Sequence, residues 1–181
     1  MLKTASPQYT ERSPSKVVAI CGGVGGAKLA NGLYNVLAPN TLSVVINTGD
    51  DFEHLGLHIS PDIDTVTYTL AGLSNLKLGW GRADETWNFM QTLDTLGGDD
   101  WFSLGDRDLA LHLERTKRMG LGQSLSQITG DFASALGISA NLMPMSDDRV
   151  RTRVQTEGGC LDFQEYFVRL KCQPKVQRIL F

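Results

Sequence analysis

A chain of 181 residues is sized for one domain, and 41% apolar with 20% charged residues is the balance of an ordinary globular protein. A net charge of -3 sets aside nucleic acid as the main partner, since a polyanion is normally met by a basic stripe. No apolar run approaches the roughly 20 residues that span a bilayer, and Cys21, Cys160 and Cys172 share no paired spacing, so a cytoplasmic chain without membrane, disulfide frame or zinc site is expected.

The opening stretch 1–15 is polar, carries Pro7 and Pro14 and lacks the apolar centre of a signal peptide. It reads as a flexible tail ahead of a domain over 16–181. Val17 to Cys21 is an apolar run ending in glycines, a buried strand. Leu29, Leu33, Val36 and Leu37 follow at helical spacing, closed by Pro39. Leu42 to Ile46 is a second β-branched run. Strand, glycine turn, helix and strand make a βαβ unit, hence an α/β fold with a parallel sheet and a right-handed crossover.

Ser60-Pro61 reads as a helix start, with Ser as N-cap and Pro in the first helical position, and Ile63, Val66 and Leu70 then share one face. Further helices are expected around Trp87, Met90 and Leu93, around Leu109 and Leu113, and along Leu125, Ile128, Phe132 and Leu136. This helix-rich insertion is expected to cap the sheet. Val150 to Thr156 and Leu161 to Phe167 flank Gly158-Gly159 as a hairpin. Val176 to Phe181 reads as a strand where the chain stops, so the sheet and the active site are expected to be truncated.

Four segments offer chemistry. In Gly22-Gly23-Val24-Gly25-Gly26-Ala27-Lys28 the glycines allow close approach of backbone to ligand, and a helix N-terminus follows to attract an anion. The pattern is neither a P-loop, which needs Gly-Lys-Ser/Thr, nor a dinucleotide loop, which would put Gly where Lys28 stands. A tight turn is the plainer reading, but phosphate contact is favoured because such loops lie at the ligand crevice. Asn47-Thr48-Gly49-Asp50-Asp51 follows the second strand, where two carboxylates would hold Mg²⁺ or simply form a solvated turn. In Ser60-Pro61-Asp62-Ile63-Asp64-Thr65, Asp62 suits the helix dipole, which leaves Asp64 the freer acid for a ligand. In Leu104-Gly105-Asp106-Arg107-Asp108-Leu109, Asp106 reads as a helix cap and Arg107 either as a solvated side chain or as a phosphate fork. Ser146-Asp147-Asp148-Arg149 repeats that theme. His54, His58 and His112 show no ligand spacing, Trp80, Trp87 and Trp101 read as core or pocket wall, and there is no Gly-x-Ser-x-Gly elbow for a serine hydrolase.

Taken in order, these motifs resemble the 2-phospho-L-lactate transferase family. The likeness opens on Gly22 to Leu29 and continues through Asn47 to Asp51, Ile59 to Val66, Leu104 to Asp108, Leu125 to Thr129, Met143 to Asp148 and Phe163 to Phe167. The resemblance implies a Rossmann-like α/β fold and a Mg²⁺-dependent transfer in coenzyme F-420 biosynthesis. A phospholactyl or phosphoenolpyruvyl group would pass from a guanosine diphosphate-linked lactate or enolpyruvate to the deazaflavin Fo, releasing GMP. It implies deazaflavin contacts at Asp64 and Ser103. The catalytic and metal-binding acids would be Asp50 and Asp51, and Gly22, Gly23, Gly25, Gly26, Lys28 and Arg107 would face phosphate. A homodimer is compatible with it. Members of the family are longer, and this chain would correspond to their front part. A nucleotide-sugar-binding regulator of the gluconeogenesis-factor-like branch is the alternative, disfavoured by Phe52 to Gly56 and the Ser-Pro-Asp-Ile-Asp segment.

Overall fold

The computed structural model describes residues 15–77 and 79–181; the tail expected over 1–15 lies outside the described residues except for Ser15. Three strands, β1 (Val17–Cys21), β2 (Leu42–Ile46) and β5 (Asn141–Pro144), form a parallel sheet in the order β1-β2-β5. Val17 pairs with Leu42 and Cys21 with Ile46, and Ile46 pairs in turn with Pro144, so the three strands end at one edge. Between them come the hairpin β3 (Phe52–His54) and β4 (Leu57–Ile59), then helices α2 (Pro61–Leu70), α3 (Asn88–Thr95), α4 (Asp106–Gly120) and α5 (Leu125–Ala135). Helix α1 (Val24–Val36) crosses from β1 to β2. Strands β6 (Arg153–Thr156), β7 (Gly159–Asp162) and β8 (Val176–Leu180) make a separate antiparallel sheet in the order β7-β6-β8.

The expected strands, the βαβ unit and the helix order are present, but some faces differ. Helix α1 does not turn the predicted leucine stripe inward: Leu29 is 56% and Val36 78% exposed, while Ala27 and Ala30 are buried. Small side chains on that face bring α1 close to the sheet and α2, with Leu33 and Leu37 packing at its far end. The main core joins α1, α2 and α5 over Ala19, Cys21, Leu42, Val44, Ile46 and Leu142. The opposite face of β1 shows Val18 and Ile20 to solvent, although parallel sheets are usually covered on both sides. Helix α5 starts at a capping box in which Ser124 and Gln127 satisfy each other's backbone amides.

Two elements went unread in the sequence. The β3–β4 hairpin turns on Leu55 and Gly56, both with positive φ, as a type I′ turn requires. Phe52 and Ile59 from its two strands anchor a second core with Met90 and Leu104, where Trp101 and Phe102 pack against Phe52. Strand β5 carries Asn141 and Pro144, residues that strands disfavour, but Pro144 stands at the strand's end, on the outer strand, where no ladder donor is needed. The segment expected as a strand through Phe167 leaves the sheet after Asp162 and closes in a π-helical turn over Glu165–Arg169.

Candidate functional site

All three parallel strands open into loops at their carboxyl edge, where open α/β sheets take their ligands. After β1 the chain turns through Gly22 and Gly23 directly into α1. A Cβ on Gly26 would stand 2.9 Å from Cys21 Cβ and 3.0 Å from Cys21 Cα, so this glycine lets the helix begin against the end of its own strand. A Cβ on Gly23 would stand 2.8 Å from Asp62 Oδ1, whereas one on Gly25 would meet nothing within 4 Å. The Asp62 carboxylate therefore packs on the glycine turn. It is buried, and Asn47 Nδ2 donates to its Oδ2 at 2.9 Å. Burial raises its pKa, the Asn47 hydrogen bond opposes this, and the charge of Asp51 adds to it. Asp62 lies in the first turn of α2, where it suits the helix dipole, and it also faces the phosphate-binding candidate.

The two acids of the second loop part company. Asp50 is half-buried on the Asp62 side. Burial, then the charges of Asp62 and Asp51, push its carboxyl from the ordinary 3.8 to about 6 against a hydrogen bond from Asn47. Asp51 is buried, accepts from Ser60 Oγ at 2.7 Å and has His58 Nε2 3.0 Å from the same Oδ2. Its Oδ1 has no partner among the described residues. Ser60 therefore does not cap α2 with its side chain as expected; its hydroxyl is committed to Asp51.

The raised Asp50 carboxyl makes a prediction. A folded pKa above the unfolded value means that the folded state binds the proton more tightly. The stability this contributes is present below about pH 4 and lost as the pH rises through about 6. Asp50→Asn should then raise stability at pH 7 by about 1–2 kcal/mol, after discounting for solvent screening, and change it little near pH 4. Metal-free urea melts at both pH values check this; a shift independent of pH would refute it.

Asp64 corrects a further expectation, for its carboxylate is not free. It is buried, and Arg115 of α4, itself 1% exposed, holds it with both terminal nitrogens, Nη1 donating to Oδ2 at 3.1 Å and Nη2 to Oδ1. Burial raises the Asp64 pKa against the pull of Arg115 and His112. His112 places Nδ1 3.6 Å from Asp64 Oδ2 and Nε2 3.0 Å from Asp108 Oδ2. Tyr68 donates its hydroxyl to Asp108 Oδ1. Burial pushes Asp108 up, but the contacts of His112 and Tyr68 and the charge of Arg115 outweigh it and hold the carboxyl below its ordinary range. On sequence Arg115 and His112 lie in a strongly polar helix with no motif around them, and only the contact across to α2 reveals them.

The Leu104 to Leu109 segment is built around two caps. Glu85 accepts from the amides of Arg107 and Asp108 at 2.8 and 3.0 Å and so closes the N-terminus of α4. Asp106 instead caps α3, accepting from Thr86, Asn88 and the Phe89 amide, which hold its pKa well below the ordinary value. Ser103 is exposed in a cleft of about 230 Å³ with Trp80, Trp87, Arg82 and Asp108. Lys28 lines an adjoining cleft of about 260 Å³ with Val24, Thr65 and Thr69, and the two clefts share Trp80. Arg107 is exposed and lines neither. Among the described residues no three His, Cys, Asp or Glu groups cluster closely enough to hold a metal by themselves.

The family profile and the curated relatives point to one family, and a solved structure is similar in fold. The chain is 44% identical to a phosphoenolpyruvate transferase of Kitasatospora aureofaciens over 171 residues, 91% of this chain and 53% of that protein. It is 37% identical to a 2-phospho-L-lactate transferase of Methanospirillum hungatei over 164 residues, 91% of this chain and 55% of that protein. The chain thus spans about half the length of the curated relatives it matches. In fold it is similar to the crystal structure of a UPF0052 family member from Bacillus halodurans, with a TM-score of 0.53 at 16% identity over 93% of this chain and 51% of that one. The profile of the family described as 2-phospho-L-lactate transferase CofD matches residues 17–181, and the chain belongs to that family.

Proposed function

We propose that this chain forms part of a transferase of coenzyme F-420 biosynthesis that moves a phospholactyl or phosphoenolpyruvyl group from a guanosine diphosphate-linked donor to the deazaflavin Fo, with release of GMP. One observation supports the reading most: Asp62 and Asp50 stand at the glycine turn on the carboxyl edge of a parallel sheet, in a chain of that family. The terminal ribityl hydroxyl of Fo would attack the phosphorus that bears the three-carbon acid. A P–O bond forms there as the hydroxyl gives up its proton to solvent or to the departing phosphate, the bond from that phosphorus to the bridging oxygen breaks, and GMP leaves with the electron pair.

Such transfer asks the protein mainly for positioning and charge neutralisation. The amides of the Gly22 to Gly26 turn, at the start of α1, would hold diphosphate oxygens, with Lys28, which lines the cleft beside α1, and the more distant Arg107 as the cations of the proposal. The donor set suits Mg²⁺, which takes one or two carboxylates and fills its shell with phosphate oxygens and water. Asp50 carries a raised pKa from burial and neighbouring acids, the mark of negative charge that lacks a counter-ion. Asp50 and Asp62 would hold the ion, with Asp51 the adjoining acid, and bound there it supplies charge neutralisation at the diphosphate. Ser103 and Trp80 would wall the deazaflavin cleft. Asp64 would serve that cleft at second hand, fixing Asp108 through Arg115 and His112.

Fo fluorescence titration tests the reading. Wild type is expected to bind Fo, and Trp80→Ala to bind it about tenfold more weakly, since one lost aromatic contact is worth about 0.5–1.5 kcal/mol and tenfold is about 1.4 kcal/mol. Failure of wild type to bind Fo, alongside tight binding of a nucleotide sugar, would transfer the case to the regulatory branch.

A further inference from the structure

A second cleft, of about 220 Å³, opens on the far side of the Asp50-Asp51 turn, between the ends of β2 and β5. Its lining includes Thr48, Asp51 and Arg151, together with the apolar Met119, Leu125 and Val150. Thr48 is 2% exposed, Asp51 5%, and the Arg151 side chain 10%. Each keeps one buried atom without a protein partner among the described residues: Thr48 Oγ1, Asp51 Oδ1 and Arg151 Nε. Leaving a buried donor or acceptor unmatched is destabilising, because the group gives up water and gains nothing. Three such atoms around one cleft are therefore better explained by a ligand than by packing. The segment that carries Arg151 is firmly placed, because the Thr152 amide donates to the Gly49 carbonyl at 2.6 Å and ties it to the Asp turn.

Charge narrows the class of ligand. Around the cleft four acids, Asp51, Glu53, Asp147 and Asp148, face two arginines, Arg149 and Arg151. Both arginines already lie against Glu53, at 3.1 and 3.4 Å. That balance repels a dianion but leaves Arg151 a donor for a single carboxylate. The apolar wall has room for a short alkyl or alkene carbon.

We propose that this cleft is the binding pocket for the carboxylate end of a three-carbon acid, with Arg151 and Thr48 donating to the carboxylate and Met119, Leu125 and Val150 packing on its methyl or methylene carbon. Asp51 Oδ1, a buried acceptor beside them, would take the hydroxyl hydrogen of free lactate; in the esterified unit that oxygen carries phosphorus instead. The inference rests on the transferase reading for its choice of acid: the pocket would seat the lactyl or enolpyruvyl unit, while the glycine turn takes the diphosphate. It makes Arg151 and Thr48 specificity residues on a segment that carries no motif for such a role.

Ligand-observed NMR on the full chain, with L-lactate, pyruvate and inorganic phosphate as probes, tests the pocket. Lactate and pyruvate are expected to bind in the millimolar range and phosphate more weakly. Arg151→Met should lose at least tenfold in lactate affinity. Thr48→Val should lose severalfold, and Arg151→Lys should retain part of the binding. Far-UV circular dichroism and urea melts identify any variant that fails to fold, in which case the Thr48 variant decides. Equal lactate binding by wild type and folded variants overturns the pocket, and so does phosphate binding more tightly than lactate. Fo titration separates the two readings: lactate binding without Fo binding leaves the pocket standing and removes the transferase, and the reverse result does the opposite.

Discussion

Replacing Arg115 with methionine is expected to cost about 3–5 kcal/mol of stability, the range for breaking a buried ion pair from one side. The guanidinium is 1% exposed and is the counter-ion of Asp64, which is 6% exposed. Without it a carboxylate is left in the interior with His112 beside it and the like charge of Asp108 acting against it. The loss is not confined to one pair. Arg115 also donates to the His58 carbonyl at 3.4 Å and contacts His112 Nδ1 at 3.3 Å, so contacts of α4 to β4 and to α2 weaken together, leaving Thr116 on the His58 amide and Tyr68 on Asp108. Replacing both partners, Asp64→Leu with Arg115→Met, should recover much of the stability, because well-packed apolar side chains often match or exceed a buried ion pair. Urea unfolding of the single and double variants measures this; a single variant within about 1 kcal/mol of wild type would refute it. The pH dependence adds a second reading. Burial already pushes Asp64 up, and Arg115 is the main pull against it. With Arg115 gone, the folded pKa rises further above the unfolded one. The penalty should then be smallest below the ordinary carboxylate range, near pH 3, where Asp64 is protonated in both states, and grow as the pH rises to 7. Fo affinity of the folded double variant would also show whether the network matters to the acceptor cleft beyond stability.

The dependence of these contacts on tertiary placement explains what was legible in the sequence. The β-branched runs Val17 to Cys21 and Leu42 to Ile46, punctuated by glycines, are local signals, and they led directly to two strands of the parallel sheet. The third, β5, holds its place by pairing with β2, which overrides the poor strand preference of Asn141 and Pro144. Periodicity counts large apolar residues and so points to Leu29 and Val36 on α1, which are exposed. This helix is instead held close by Ala27 and Ala30, the small ones. At the site, the glycine turn and the acid pair announce themselves by composition. Nothing local says that Asp50 turns toward Asp62 while Asp51 turns toward Ser60 and His58, since adjacent residues in a loop can face unrelated surroundings. Asp64 had the opposite fate: its place one turn inside α2 made it look spare, and its partner lies 51 residues away on α4.

Two neighbouring glycines separate the role of the turn from the role of its backbone. Gly26→Ala is expected to cost about 1–3 kcal/mol, the usual toll of overpacking. Its new methyl would meet Cys21 at 2.9 Å from Cβ and 3.0 Å from Cα, and backbone cannot swing aside as a side-chain tip can. Cys21 is itself fixed there, buried in the main core and donating its thiol to the Gly26 carbonyl at 3.3 Å. Relief would have to come from moving the start of α1 off the end of β1, which would spoil the turn and its amides together. Gly25→Ala meets nothing within 4 Å. It should leave stability unchanged or raise it by up to about 1 kcal/mol, because alanine loses less backbone entropy in a helix. If the backbone at Gly25 approaches a phosphate, GDP binding should fall at least tenfold in Gly25→Ala, in the presence of Mg²⁺, while the melt stays at or above wild type. Gly25→Val, bulkier at the same open position, should abolish it. In Gly26→Ala, by contrast, affinity and stability should fall together. Calorimetric titration of GDP beside thermal melts of the variants decides the matter. Unaltered GDP affinity in both Gly25 variants would mean that the phosphates lie elsewhere and that the glycines serve the strand-to-helix turn alone.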